Sequence, residues 1–144
     1  MRLVEVFRRP TQAVREFAVG RLSDHLWLDL DAGGAPGFLG VTVVAPDTGI
    51  SAYAQISAAP GGFELEALGA QSTERLDAVE TALDALAVDG GGHVTWWVDD
   101  ADPATLAVAS AAGLAPHRAL HEMRRPLPHE QRAAVATRPF RPGI

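Results

Sequence analysis

The amino-acid sequence predicts an α/β fold (α+β in some schemes): a mixed, mostly antiparallel sheet with helices on both faces. Three observations predict it. The β-rich runs 38–44, 50–57 and 63–68 are joined by Pro46-Asp47-Thr48-Gly49 and Pro60-Gly61-Gly62, turn sequences that make an antiparallel meander of them. One long amphipathic segment, 73–88, follows. After it comes a near-continuous apolar run, 93–98, of the kind expected for a strand buried on both faces.

In chain order, residues 2–7 alternate apolar and polar side chains and read as a short opening strand. Pro10 then precedes a helix over 11–19, proline being tolerated in a first helical turn. Ser23 has the chemistry of an N-cap for a second helix over 24–31, which Gly33-Gly34 stops. The meander follows. In the long helix Leu76, Val79, Leu83 and Leu86 make one face, with Glu74, Arg75, Asp77, Glu80 and Asp84 on the other. Gly90-Gly91-Gly92 closes it, strand 93–98 comes next, and an alanine-rich helix over 103–112 ends at Gly113. A more polar strand is expected over 117–125. The order is β-α-α-β-β-β-α-β-α-β. After Leu127 the character shifts, and 129–137 is charged and alanine-rich like a linker.

Composition excludes several functions. A chain of 144 residues is one domain long and can bury a core without metal or disulfide. The net charge of −6 and the absence of a basic stripe argue against nucleic acid as a partner. Without cysteine there is no disulfide, thiolate metal site or cysteine nucleophile. No apolar stretch reaches the roughly 18 residues of a membrane span, and residues 1–7 lack a signal-peptide core. A cytoplasmic protein is the expectation.

Several blocks resemble the N-terminal domain of the mycothiol synthases, tandem enzymes of the GNAT acetyltransferase fold. They are Leu22-Ser23-Asp24-His25-Leu26-Trp27-Leu28-Asp29-Leu30, Gly33-Gly34 with Pro36-Gly37-Phe38, and Ala52-Tyr53-Ala54-Gln55-Ile56-Ser57. Gly90-Gly91-Gly92-His93-Val94 with Trp96-Trp97 and His121-Glu122-Met123-Arg124-Arg125-Pro126-Leu127-Pro128 complete the set, so the likeness spans nearly the whole chain. The resemblance implies a GNAT-like domain over 1–128, a linker over 129–137, and over 138–144 the start of a second GNAT domain, whose opening strand the tail 137–143 is similar to. It further implies acetyl-CoA as cofactor and a cysteinyl-glucosaminyl-inositol amine as the small-molecule acceptor. In that family the second domain carries the chemistry. This half is accordingly expected to be non-catalytic, with the catalytic C-terminal GNAT domain as its partner.

A working GNAT domain holds the coenzyme pyrophosphate at the start of its long helix with a Gln/Arg-x-x-Gly-x-Gly/Ala pattern, where glycines let backbone N–H groups close on an anion at the positive end of the helix. The corresponding stretch here is Gly69-Ala70-Gln71-Ser72-Thr73-Glu74-Arg75-Leu76-Asp77-Ala78, and no glycine occurs between Gly69 and Gly90. Glu74 and Asp77, read as lying in the first turn, oppose a phosphate. A like-charge contact at 4 Å costs about 1 kcal/mol in water and about 4 at an effective dielectric near 20. Arg75 offsets one such contact. Loss of tight coenzyme binding and retention of weak binding both remain open.

The other cofactor candidates are Glu66, Ala67 and Leu68, on the strand that by resemblance accepts the pantetheine arm as if it were a further strand. The alternative for them is plain sheet core. Asp24 is the substrate candidate, its carboxylate suited to an ammonium group, the alternative being helix N-terminal charge beside Ser23. His117 and His121 lack a third ligand, so no metal is expected. Asp99, Asp100 and Asp102 suit a cation, although Asp102-Pro103 also suits a helix cap. Trp96 and Trp97 fall on opposite faces of one strand. Tyr53, the only tyrosine, comes earlier in the chain than a GNAT general acid, and no catalytic residue is assigned. Three functions remain: a non-catalytic GNAT-like module, a stand-alone acetyl-CoA-dependent N-acetyltransferase with a degenerate phosphate loop, and a homodimeric interaction module.

Overall fold

The computed structural model describes residues 3–34, 36–99 and 101–116, together with the backbone of strand 133–140. Six strands form one sheet in chain order: β1 (Leu3–Phe7), β2 (Leu39–Ala45), β3 (Gly49–Ala59), β4 (Gly62–Gly69), β5 (Gly92–Val98) and β6 (Ala133–Phe140). β1 to β4 pair antiparallel, β4 and β5 pair parallel, and β5 and β6 pair antiparallel. The single parallel step is the one bridged by a helix, α3 (Ser72–Val88), as a parallel connection requires. The other helices are α1 (Gln12–Ala18), α2 (Asp24–Asp31) and α4 (Pro103–Ala111).

The sheet is covered on both faces because successive residues of its strands point to opposite sides. Along β3, Ala52, Ala54 and Ile56 face the larger core under α3, which they share with Val79, Leu83 and Leu86, and α4 adds Val108 and Ala109 to the same core from its place against α3 and β5. Tyr53 points the other way, into a smaller core with Val14 and Ala18 of α1, Leu30 of α2, and Phe38. Phe7 of β1 stacks on Tyr53, ring centroids 6.1 Å apart, and lies over Gly40 of β2. A Cβ at Gly40 would run into the Phe7 ring, so glycine there is what lets the ring lie on the sheet.

The second core also holds a polar ladder under α2. Gln55, fully buried, accepts from the Tyr53 hydroxyl at 2.7 Å and donates to the Leu26 carbonyl at 2.8 Å and to Ser57 Oγ at 3.1 Å. The amide thus ties α2 to the middle of β3.

Several local expectations need correction. Thr11, not Pro10, starts α1: its side chain accepts from the Val14 N–H at 3.3 Å, and the proline lies one residue before the cap. Ser23 occupies the N-cap position of α2 but makes no capping hydrogen bond. α3 begins at Ser72, which leaves Glu74 alone as the acidic residue of its first turn and moves Asp77 to the second. β5 is buried on one face only, since Val94, Trp96 and Val98 are covered while His93 is exposed and Thr95 and Trp97 are partly so. α1 and α2 dock on β3, and no described helix lies over that side of β5. The expected strand 117–125, with His117 and His121, lies outside the described residues. Residues 133–140, which span the end of the expected linker (129–137) and the start of the expected second domain (138–144), form the strand β6 paired to β5. β5 would otherwise expose a ladder of backbone groups. Pro139, which has no N–H to give, is tolerated in such an outer strand.

Candidate functional site

The parallel ladder between β4 and β5 is short. It pairs Phe63 with Val94, Glu64 with Thr95 and Leu65 with Trp96, and ends there. Beyond it the two strands diverge into a cleft of about 320 Å³. Its walls are Glu66, Ala67, Leu68 and Gly69 of β4, Trp96, Trp97 and Val98 of β5, and Asp99 after it. Arg75 of α3 and Asp102 and Thr105 at the start of α4 close the helical side. All four residues proposed from the sequence for the cofactor, Glu66, Ala67, Leu68 and Arg75, therefore meet in one place.

Each wall has a local cause. Gly69 ends β4 at φ +145°, and a Cβ there would lie 2.9 Å from the Ser51 carbonyl and 3.1 Å from Arg75 Cγ. Only glycine lets the strand turn into α3 with the arginine stem laid against it. Asp102 caps α4, accepting from the Thr105 N–H at 3.1 Å and the Thr105 hydroxyl at 2.7 Å, with Pro103 beginning the helix. That is the helix-cap role weighed for Asp102-Pro103. Those two bonds from Thr105, aided by the nearby Arg75 charge, hold the Asp102 carboxyl below the usual carboxylate range. Arg75 Nη1 donates to Thr105 Oγ1 at 2.6 Å, so one face of the guanidinium is already committed.

Two buried donors in this wall have no acceptor among the described residues: Arg75 Nε and Trp96 Nε1, the indole being fully buried. Buried N–H groups without partners cost free energy, so a ligand oxygen is the natural complement to them. The charge of the cleft is less inviting to phosphate. Among the described residues of the lining, Glu66, Asp99 and Asp102 are carboxylates and Arg75 is a guanidinium, and Glu74 adds a carboxylate at the first turn of α3. The residues present thus suit the uncharged, amide-bearing part of acetyl-CoA and not its phosphates.

On the opposite face of the sheet, below α2, a second hollow of about 320 Å³ is lined by Pro60, Gly62, Phe63, Glu64, His93 and Trp97, among others. Glu64, whose side chain is 15 % exposed, meets His25 Nε2 of α2 at 2.7 Å. Asp24, the substrate candidate, is exposed at the first residue of α2 and lines neither hollow; its neighbour His25 is the one that reaches the sheet. Glu64 was not singled out from the sequence. Its signal was present, since it alternates with the buried Leu65 and so had to face away from α3. Thr105 was missed for want of any motif.

Tyr53 is not an acid poised for chemistry. It is completely buried, its hydroxyl is bound to Gln55, and burial pushes its pKa far above the ordinary value. Among the described residues no group of three histidine, aspartate or glutamate side chains is placed to hold a metal ion. None of the described helices is long and apolar enough to cross a membrane.

No protein-family model matches the sequence, and no curated relative matches it. Solved structures do. The ribosomal-protein-S18-alanine N-acetyltransferase from Escherichia coli superposes with a TM-score of 0.69 at 11 % identity, covering 100 % of this chain and 97 % of that one. A Desulfovibrio desulfuricans protein assigned to the GNAT family of acetyltransferases gives 0.67 at 14 % identity, covering 97 % of this chain and 99 % of that one. At these identities the superpositions speak to the fold alone: this chain has the GNAT acetyltransferase fold.

Proposed function

We propose that this chain is a GNAT-fold module of the mycothiol synthase type in which this half does not itself carry out acetyl transfer. The observation that carries the reading is the cleft between β4 and β5. Its walls are intact, yet the phosphate end is unsuited to coenzyme A. The turn into α3 lacks the glycines that would expose successive N–H groups to an anion, Glu74 already satisfies the helix dipole, and Arg75 is engaged by Thr105. Beside the hollow under α2 the described groups able to act as acid or base are Glu64, paired with His25, and His93. The module's role is then to pack against a following catalytic GNAT domain and to help shape the site where a cysteinyl-glucosaminyl-inositol amine would be acetylated.

Isothermal titration of acetyl-CoA tests this. The expected result is no saturable binding in the low micromolar range and no acetylation of simple amines. Micromolar affinity with turnover would replace it by the second reading, a stand-alone acetyl-CoA-dependent N-acetyltransferase. That alternative is favoured by one observation, the cleft with its two unpartnered donors.

A further inference from the structure

The apolar face of the larger core runs on past the buried strands to the edge of the sheet. Val41 and Val43 of β2 are fully buried in that core, and across the ladder from them stand Val6 and Val4 of β1. Yet Val6 is 45 % exposed and Val4 37 %, and on the other side of the strand Leu3 is 56 % exposed. β1 is an outermost strand, so alternate backbone N–H and C=O groups along it point away from β2. Among the described residues no strand pairs with them.

Open edges of this kind are usually blunted by lysine, proline or a bulge. β1 has none of these over Leu3–Phe7 and pairs with β2 in unbroken register. We infer that this edge is an interface between two copies of the chain, joined about a two-fold axis by antiparallel pairing of β1 with β1 into one continuous sheet. The inference is independent of the cleft between β4 and β5, which lies on the far side of β2 and β3.

Symmetry and charge choose the register. A two-fold axis perpendicular to the sheet keeps each face on its own side, so one residue of β1 must lie opposite its own copy. With Glu5 on the axis, Val4 meets Val6, but Glu5 is set against Glu5, and like charges directly opposite are destabilising. With Val6 on the axis that contact is gone. Val6 then meets Val6 of the second copy with Val4 on either side, which covers the open end of the larger core. Arg8 turns to the side of α3, where it reaches Asp89 at 2.7 Å, so Arg9 falls on the side of Leu3, Glu5 and Phe7. In this register Arg9 of one copy lies across from Leu3 of the other and diagonal to Glu5, both exposed, a separation that long side chains span. The two-fold supplies this pair of opposite charges twice. A strand of 5 residues buries an area at the low end of specific interfaces, so a Kd of about 10–100 µM is expected.

Sedimentation of the whole chain between about 1 and 500 µM, a range that brackets such a Kd, tests this. The mass is expected to rise from one copy to two and no further, because an isologous contact closes on itself. Val6→Lys sets two like charges beside the axis at a half-exposed position; it is expected to weaken the dimer more than about tenfold and to leave thermal melting unchanged. Glu5→Arg and Arg9→Glu are each expected to weaken it about tenfold, since either makes both cross-copy pairs repulsive. An equimolar mixture of those two variants puts opposite charges face to face again and is expected to return to within about threefold of the parent. A single copy at every concentration overturns the inference. So does a mass that keeps growing, as head-to-tail pairing of β1 with β6 would give. A dimer indifferent to Val6→Lys, or a mixture no tighter than either variant alone, overturns it as well by placing the contact elsewhere.

Discussion

Replacing Gln55 by leucine removes the polar tie between α2 and the sheet, and the structure sets the size of the effect. Gln55 is fully buried and serves three groups: the Tyr53 hydroxyl, the Leu26 carbonyl and Ser57 Oγ. Leucine fits the volume but leaves the Tyr53 O–H, itself fully buried, without its acceptor. A stranded buried donor costs about 1–3 kcal/mol. The Leu26 carbonyl, as a residue inside α2, keeps an intrahelical acceptor role and loses about 0.5–1.5 more. Added burial of apolar atoms returns part of this, for a net loss of about 1–4 kcal/mol. For a domain of this size that lowers Tm by roughly 4–16 °C. Urea and thermal unfolding followed by circular dichroism measure it. The control is a Tyr53→Phe/Gln55→Leu double variant, which removes donor and acceptor together and is expected to be more stable than Gln55→Leu alone. A single-variant loss below about 0.5 kcal/mol, or a double variant no better than the single, would refute the reasoning.

Two further predictions follow from the same geometry. Gly40→Ala drives a Cβ into the Phe7 ring, which itself packs against Tyr53 and Phe38, and is expected to cost about 1–3 kcal/mol in denaturant unfolding. Asp102 has a folded pKa below its unfolded value near 3.9, so its contribution to stability is present above that value and is lost as pH falls through the folded one. Asp102→Asn keeps a capping side chain but removes the titration; unfolding curves between about pH 2 and 6 are expected to show a shallower acid limb than the parent.

Much of the fold was legible in the chain because its signals are local. The turn sequences at 46–49 and 60–62, the Leu76–Val79–Leu83–Leu86 stripe and the Gly90-Gly91-Gly92 stop each depend on neighbours a few residues away, and the meander, α3 and β5 followed from them. The same locality exposed the missing glycines before α3 and the acidic first turn. Local reading also placed Glu66, Ala67, Leu68 and Arg75 on adjoining elements. What it could not settle was register and reach. Whether β4 and β5 stay paired or part after Leu65 depends on how α3 returns the chain to the sheet. Whether Arg75 faces a ligand or Thr105 depends on a helix 30 residues further on. The partner of His25 is 39 residues away, and β6 closes the sheet from a stretch whose composition reads as linker. Composition and period determined which segments are strands and helices, through side-chain alternation and turn chemistry. Only the tertiary structure decided where two strands separate and which charges gather there, because those depend on contacts between residues far apart in the chain.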